Sequence, residues 1–168
     1  MASLFSVNAS SKAQFDLDKV LKMESQDKIV IEIDTYLNQK CSYGEKIELL
    51  NESQKVLLLV ENLEREINNG GFNQFYRNSS GDFANETIDA LNLIGAKKTA
   101  EIVKDANSEF KNGSVPKDRV ERQNVMALIE RKAEENWESL DSLFFEYNDN
   151  LTELLLAFVL KNRSDFEN

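Results

Sequence analysis

Apolar residues recur at helical spacing along most of the chain, with polar clusters between the recurrences. From Phe15 to Leu37 the positions Leu17, Val20, Leu21, Val30, Ile33 and Leu37 fit one helix. Inside it, KIVIEID (28–34) also reads as a strand, because β-branched residues favour sheets. From Glu52 to Asn68 the stripe widens. Val56, Leu59, Val60, Leu63 and Ile67 share a face, and Leu57 and Leu58 broaden it into the pattern of a central, mostly buried helix. Gly70 sits where that helix takes its left-handed terminating residue, with Asn69 a second candidate. Phe72, Phe75 and Tyr76 then share a face of a short helix, before Asn78, Ser79, Ser80 and Gly81 turn the chain. Ala84, Ile88, Leu91 and Ile94 predict a helix that stops at Gly95. Thr99, Ile102, Val103, Ala106 and Phe110 predict the next, which breaks at KNGSVP (111–116), with Pro116 in a first helical turn. Val120 to Trp137 reads as one long helix or two, and Leu151 to Leu160 as the last. The expectation is an all-α, single-domain multi-helix bundle of roughly seven or eight helices over residues 15–168, after a polar lead-in at 1–14.

Composition narrows the class. At 168 residues, 41% hydrophobic and 30% charged, the chain has the makeup of one ordinary globular domain. Cys41 has no second cysteine to pair with. The start, MASLFSVNASSKAQF, lacks a basic segment followed by an apolar run, so no signal peptide is expected. The longest apolar runs, VLLLV (56–60) and LLLAFVL (154–160), are too short for a bilayer, and the cytoplasm is the default. The net charge is −10 and there is no histidine. That removes the commonest general base and the commonest zinc ligand. A chain this acidic repels nucleic acid and suits a basic protein partner instead.

The stretch EINNGGFNQFYRNSSG (66–81) raises one chemical question, whether it cradles a phosphate or turns the chain. Dinucleotide and P-loop cradles need G-x-G-x-x-G or G-x-x-x-x-G-K-[ST]. Here Gly70 and Gly71 are adjacent and Gly81 lies ten residues on, so a structural corner is the better reading. Asn73, Gln74 and Arg77 fall on its polar side with no chemistry assigned.

The same residues carry a resemblance. LEREINNGGFNQFYRNSSG, ALNLIGAKKTAEIVKDANSEF (90–110) and LDSLFFEYNDNLTELLLAFVLKNRSDF (140–166) resemble the DNA-mimic-protein-like family over roughly residues 50–166. The NNGGF-x-QF-x-x-NSSG core carries most of it, with Asn69, Gly70, Gly71, Phe72, Gln74, Phe75, Asn78 and Gly81 in structural roles. The resemblance implies an all-helical fold and a cytoplasmic bacterial protein. The family takes its name from an acidic member that occupies the DNA-binding face of a DNA-binding protein.

Charge is polarised along the chain. Between Ala133 and Leu160 stand Glu134, Glu135, Glu138, Asp141, Glu146, Asp149 and Glu153 with no lysine or arginine, whereas 97–132 leans basic. On a helix, Ala133, Trp137, Leu140 and Phe144 form an apolar stripe, and Glu130, Glu134, Glu138 and Asp141 a second stripe beside it. Carboxylates three or four residues apart stand about 4.5–6 Å apart along the axis, against roughly 3.4 Å between phosphates on one DNA strand. Such a row imitates about every second phosphate, and Glu146, Asp149 and Glu153 extend it. Phe145 falls among these acids on a continuous helix. Either the helix breaks near Leu143 or an exposed aromatic marks a contact surface.

With 30 acidic residues, close carboxylate pairs arise by chance and select no glycosidase-like pair. A carboxylate metal site in a bundle ordinarily needs Glu-x-x-His, which is absent. No catalytic residue, cofactor or metal is therefore assigned. The expectation is a non-enzymatic acidic binding protein, a DNA mimic that presents Glu130, Glu134, Glu138, Asp141, Glu146, Asp149 and Glu153 to a basic partner such as a transcription factor, with no direct nucleic-acid or membrane contact. The alternatives are a structural or regulatory module acting through an apolar or homodimer surface, and a hydrolase with a pocket near Asn73, Gln74 and Arg77. A symmetric dimer is the default oligomer.

Overall fold

The computed structural model describes residues 15–167, so the expected lead-in at 1–14 lies outside the described residues. Seven α-helices follow one another: α1 (Leu17–Val20), α2 (Gln26–Lys40), α3 (Glu52–Arg77), α4 (Ala84–Ile94), α5 (Lys97–Asn107), α6 (Arg119–Phe144) and α7 (Leu151–Lys161). Short 3₁₀ turns join several of them, and no strand occurs among the described residues. The chain is an all-α, multi-helix single domain. Among the described residues no helix is long and apolar enough to cross a membrane.

Side chains fix the starts of the longer helices. Asn51 and Gln54 form a reciprocal capping box at the start of α3, Asp118 accepts from the Glu121 N–H at α6, and Asn150 accepts from the Glu153 N–H at α7. Helix α3 is the centre, touching α2, α4, α6 and α7. Its Leu57, Leu58, Val60 and Leu63 are wholly buried, each contributing about 1.5–3 kcal/mol of apolar transfer. Helices α4 and α5 pack on each other, and α5 also packs on α6.

Several expectations change. KIVIEID is helical, within α2. The single helix expected from Phe15 to Leu37 is two, parted at residues 21–25, and Leu17, Val20, Ile29, Val30, Ile33 and Leu37 are all buried. The helix expected to end near Asn68 and the short aromatic helix after it are both present, running as the two halves of α3 on either side of a kink where Gly70 and Gly71 leave helical geometry. The left-handed residue is Gly71 (φ +69°) rather than Gly70, whose φ of −170° is extended. Gly95 does terminate α4 in the left-handed region, at φ +89°. Helix α5 stops at Asn107, short of Phe110, which is buried beyond the helix end. Pro116 stands before the Asp118 cap and outside the first turn of α6. That segment is one continuous helix as far as Phe144.

Candidate functional site

The bend in α3 is held by partners from both directions. Asp141 of α6 accepts from the Phe72 N–H at 2.8 Å, and a β-carbon on Gly71 would overlap its carboxylate. Glu66 accepts from Gln74 Nε2 (2.8 Å), Asn78 Nδ2 (2.8 Å) and Ser80 Oγ (3.1 Å). Glu130 accepts from Asn73 Nδ2 at 2.7 Å and from Arg77 at 2.5 Å. The polar side chains of the corner therefore face carboxylates of the protein itself, and Asn73, Gln74 and Arg77 act as internal donors.

Beneath the corner lies Arg122, fully buried on α6. It donates to the carbonyls of Tyr76, Asn78, Pro116 and Lys117 and pairs with Asp82 at 2.6 Å. A β-carbon on Gly81 would sit 2.8 Å from the Arg122 guanidinium and 2.8 Å from the Phe75 carbonyl, so close approach, not φ, demands glycine there. Phe72, Phe75 and Tyr76 continue into a cluster with Phe110 and Trp137. The Tyr76 hydroxyl donates to Asn107 at 2.7 Å, and burial holds its pKa well above the usual value. Asn69 is exposed on the outer side of the bend.

This packing sorts the seven carboxylates of the sequence reading. Glu130 is paired with Arg77, and its donors hold its pKa below the ordinary range. Asp141 is half-buried; burial raises its pKa, the Phe72 N–H lowers it, and Glu138 raises it again. Asp149 accepts from the Thr99 N–H (2.8 Å) and hydroxyl (3.0 Å) in the first turn of α5. These three have structural partners and do not form a free row. Glu153 is exposed but stands in the first turn of α7, which packs on α2, α4 and α3. Glu146 is exposed and, among the described residues, accepts only from Asn148. Glu134 and Glu138 are exposed, one turn apart on α6, and no lysine or arginine pairs with either among the described residues.

Sequence reading missed a second acidic zone. A groove of about 280 Å³ between α2, α3 and α7 is lined by Asp27, Ile31, Glu61, Glu64, Asn68 and Thr152. Burial first, then the neighbouring Asp34 and Glu64 charges, push the Glu61 carboxyl up to about 8, against the pull of Arg65. Burial raises Asp34 to about 6 although Arg65 pairs with it. Glu64 is also raised by burial, and a hydrogen bond with Tyr147 opposes that shift. The signal was present as ENLE (61–64), two acids three apart in a helix otherwise read for its apolar face. Among the described residues no three such groups converge as metal ligands.

Tyr147 connects the two zones, its hydroxyl donating to Asn68 Oδ1 at 3.0 Å. Phe145 follows α6 directly, with right-handed helical angles and its N–H donating to the Asp141 carbonyl at 3.0 Å. Helix α6 ends at Phe144, next to Leu143, and its C-cap Phe145, four positions after Asp141, is an exposed aromatic, so the two expected alternatives hold together.

No curated protein and no solved structure matches the chain. A family model described as DMP19-like protein matches residues 48–162. The matched segment is more than half of the chain and runs from the turn before α3 through the bend, the Arg122 anchor and α6 to the end of α7. The chain belongs to the DMP19-like (DNA mimic protein 19-like) family.

Proposed function

We propose that the protein is a non-enzymatic DNA mimic whose exposed carboxylates Glu134, Glu138 and Glu146 stand in for phosphates toward a basic DNA-binding protein, such as a transcription regulator. The observation that carries this reading is the exposed Glu134–Glu138 step on a continuous helix, without an ion-pair partner among the described residues. Its rise of about 6 Å is close to two phosphate steps along one strand. Family membership supports the same class of partner and a binding role over an enzymatic one. Asp27, Glu64 and Glu153 add to the negative field of the molecule, which steers a basic partner and weakens in salt. Such a partner implies a cytoplasmic protein.

The test immobilises the full chain and offers it native lysate at low and high salt, with and without excess duplex DNA. Capture of a DNA-binding protein is expected. Salt and duplex DNA should both release it, and Glu134→Lys with Glu138→Lys should abolish it. Capture indifferent to the double substitution and to DNA retires the reading.

A further inference from the structure

The exposed aromatics at the end of α6 are not explained by charge mimicry. Phe145 is 48% exposed and Tyr147 45%, yet both rings pack on the buried Phe144, with centroids 6.3 and 5.9 Å away. Tyr147 is further fixed by a left-handed backbone (φ +47°) and by its bond to Asn68. Exposed rings held this firmly form a surface, not a loose tail. Carboxylates accompany it: Glu138 and Asp141 precede Phe145 by seven and four positions on one helix face, exposed Glu146 stands between the two aromatic residues in sequence, and Glu64 meets the Tyr147 hydroxyl. Among the described residues no lysine or arginine lies over either ring.

Three occupants compete for such a surface. An apolar side chain would cover the rings but strip water from Glu146 without replacing it. A second copy in a symmetric contact would bring the same carboxylates against one another. A guanidinium suits both parts, since its flat face stacks on an aromatic ring while its edge donates to carboxylates, which an ammonium does less well.

We propose that Phe145 and Tyr147 form an arginine platform, on which an arginine of the basic partner stacks while its edge donates to Glu146. This rests on the acidic-face reading and adds the partner's chemistry, arginine in preference to lysine.

The experiment titrates the full chain with nona-arginine and with nona-lysine peptides, by calorimetry at low salt. Wild type is expected to bind the arginine peptide about two- to five-fold more tightly than an equal charge of lysine. Phe145→Leu should remove that preference while leaving lysine-peptide affinity and the melting temperature unchanged, and Phe145→Trp should keep it. Equal affinity of wild type for both peptides, or a preference that survives Phe145→Leu, overturns the platform. Glu134→Lys with Glu138→Lys should weaken both peptides alike. If it weakens neither, the acidic-face reading itself fails, whereas a charge effect without a Phe145 effect sinks the platform only.

Discussion

The Asp141 carboxylate occupies the space that a β-carbon on Gly71 would fill, and it holds the Phe72 N–H at 2.8 Å. One residue thus reserves position 71 for glycine and satisfies a backbone donor exposed by the bend. Gly71→Ala must both adopt φ +69° and displace that carboxylate. It is expected to destabilise the fold by roughly 2 kcal/mol or more, through backbone strain and the orphaned N–H together. Urea unfolding measures this, and a loss below about 0.5 kcal/mol, the range of an ordinary surface change, would contradict the account.

Arg122 gives a larger expected effect. Its guanidinium is wholly buried and ties α6 to the carbonyls of the corner and of the segment before the helix. Arg122→Met leaves those carbonyls without their donor and is expected to cost about 3–5 kcal/mol. Arg122→Lys should recover little of it, because one ammonium cannot reproduce a planar fork that reaches two chain segments. Thermal melting of both variants decides the matter; full recovery by lysine would show that charge, not geometry, is what the site needs.

The legible part of the molecule is the part governed by local periodicity. Val56 to Ile67 announces a buried helix, Gly95 its neighbour's end, and the Ala133–Trp137–Leu140–Phe144 stripe the inner face of α6; all of these are buried or left-handed as their spacing requires. Long-range pairing is what spacing does not encode. Glu130 looks like the first member of an open row until Arg77, 53 residues earlier, folds against it. Asp141 and Asp149 are likewise claimed by the backbone N–H groups of Phe72 and Thr99. Conversely, Asp27 stands on a different helix from the Glu61–Glu64 pair, and only packing of α2 on α3 joins it to them.

That second zone makes stability depend on pH. Burial and like charges raise Glu61 to about 8, so the folded state keeps a proton that the unfolded chain releases near the ordinary ~4.3. The associated stability is fully present below about pH 4.3 and is lost as pH rises toward 8. Glu61→Gln removes the titration while keeping the shape. The variant is expected to match wild type near pH 4 and to exceed it at pH 9 by roughly 1 kcal/mol or more, at least about 2–4 °C in Tm. A pH-independent difference between the two proteins would refute this.

The paired and unpaired acids of α6 should separate in one comparison. Glu134 and Glu138 are exposed and without ion pairs, so replacing both by lysine should leave stability within about 0.5 kcal/mol. Association with the basic partner should slow sharply, and the salt dependence of its rate should flatten, because steering acts on approach. Glu130→Lys reverses the order of effects. It sets a like charge against Arg77 and removes the acceptor of Asn73, lowering stability by an amount that solvent screening at this half-exposed pair limits to about 1 kcal/mol. Its effect on association should be smaller than that of the double change, since Arg77 already offsets its charge. Stopped-flow association beside thermal melts reads both quantities, and a Glu130 variant that binds worst while melting normally would move the contact face to the corner.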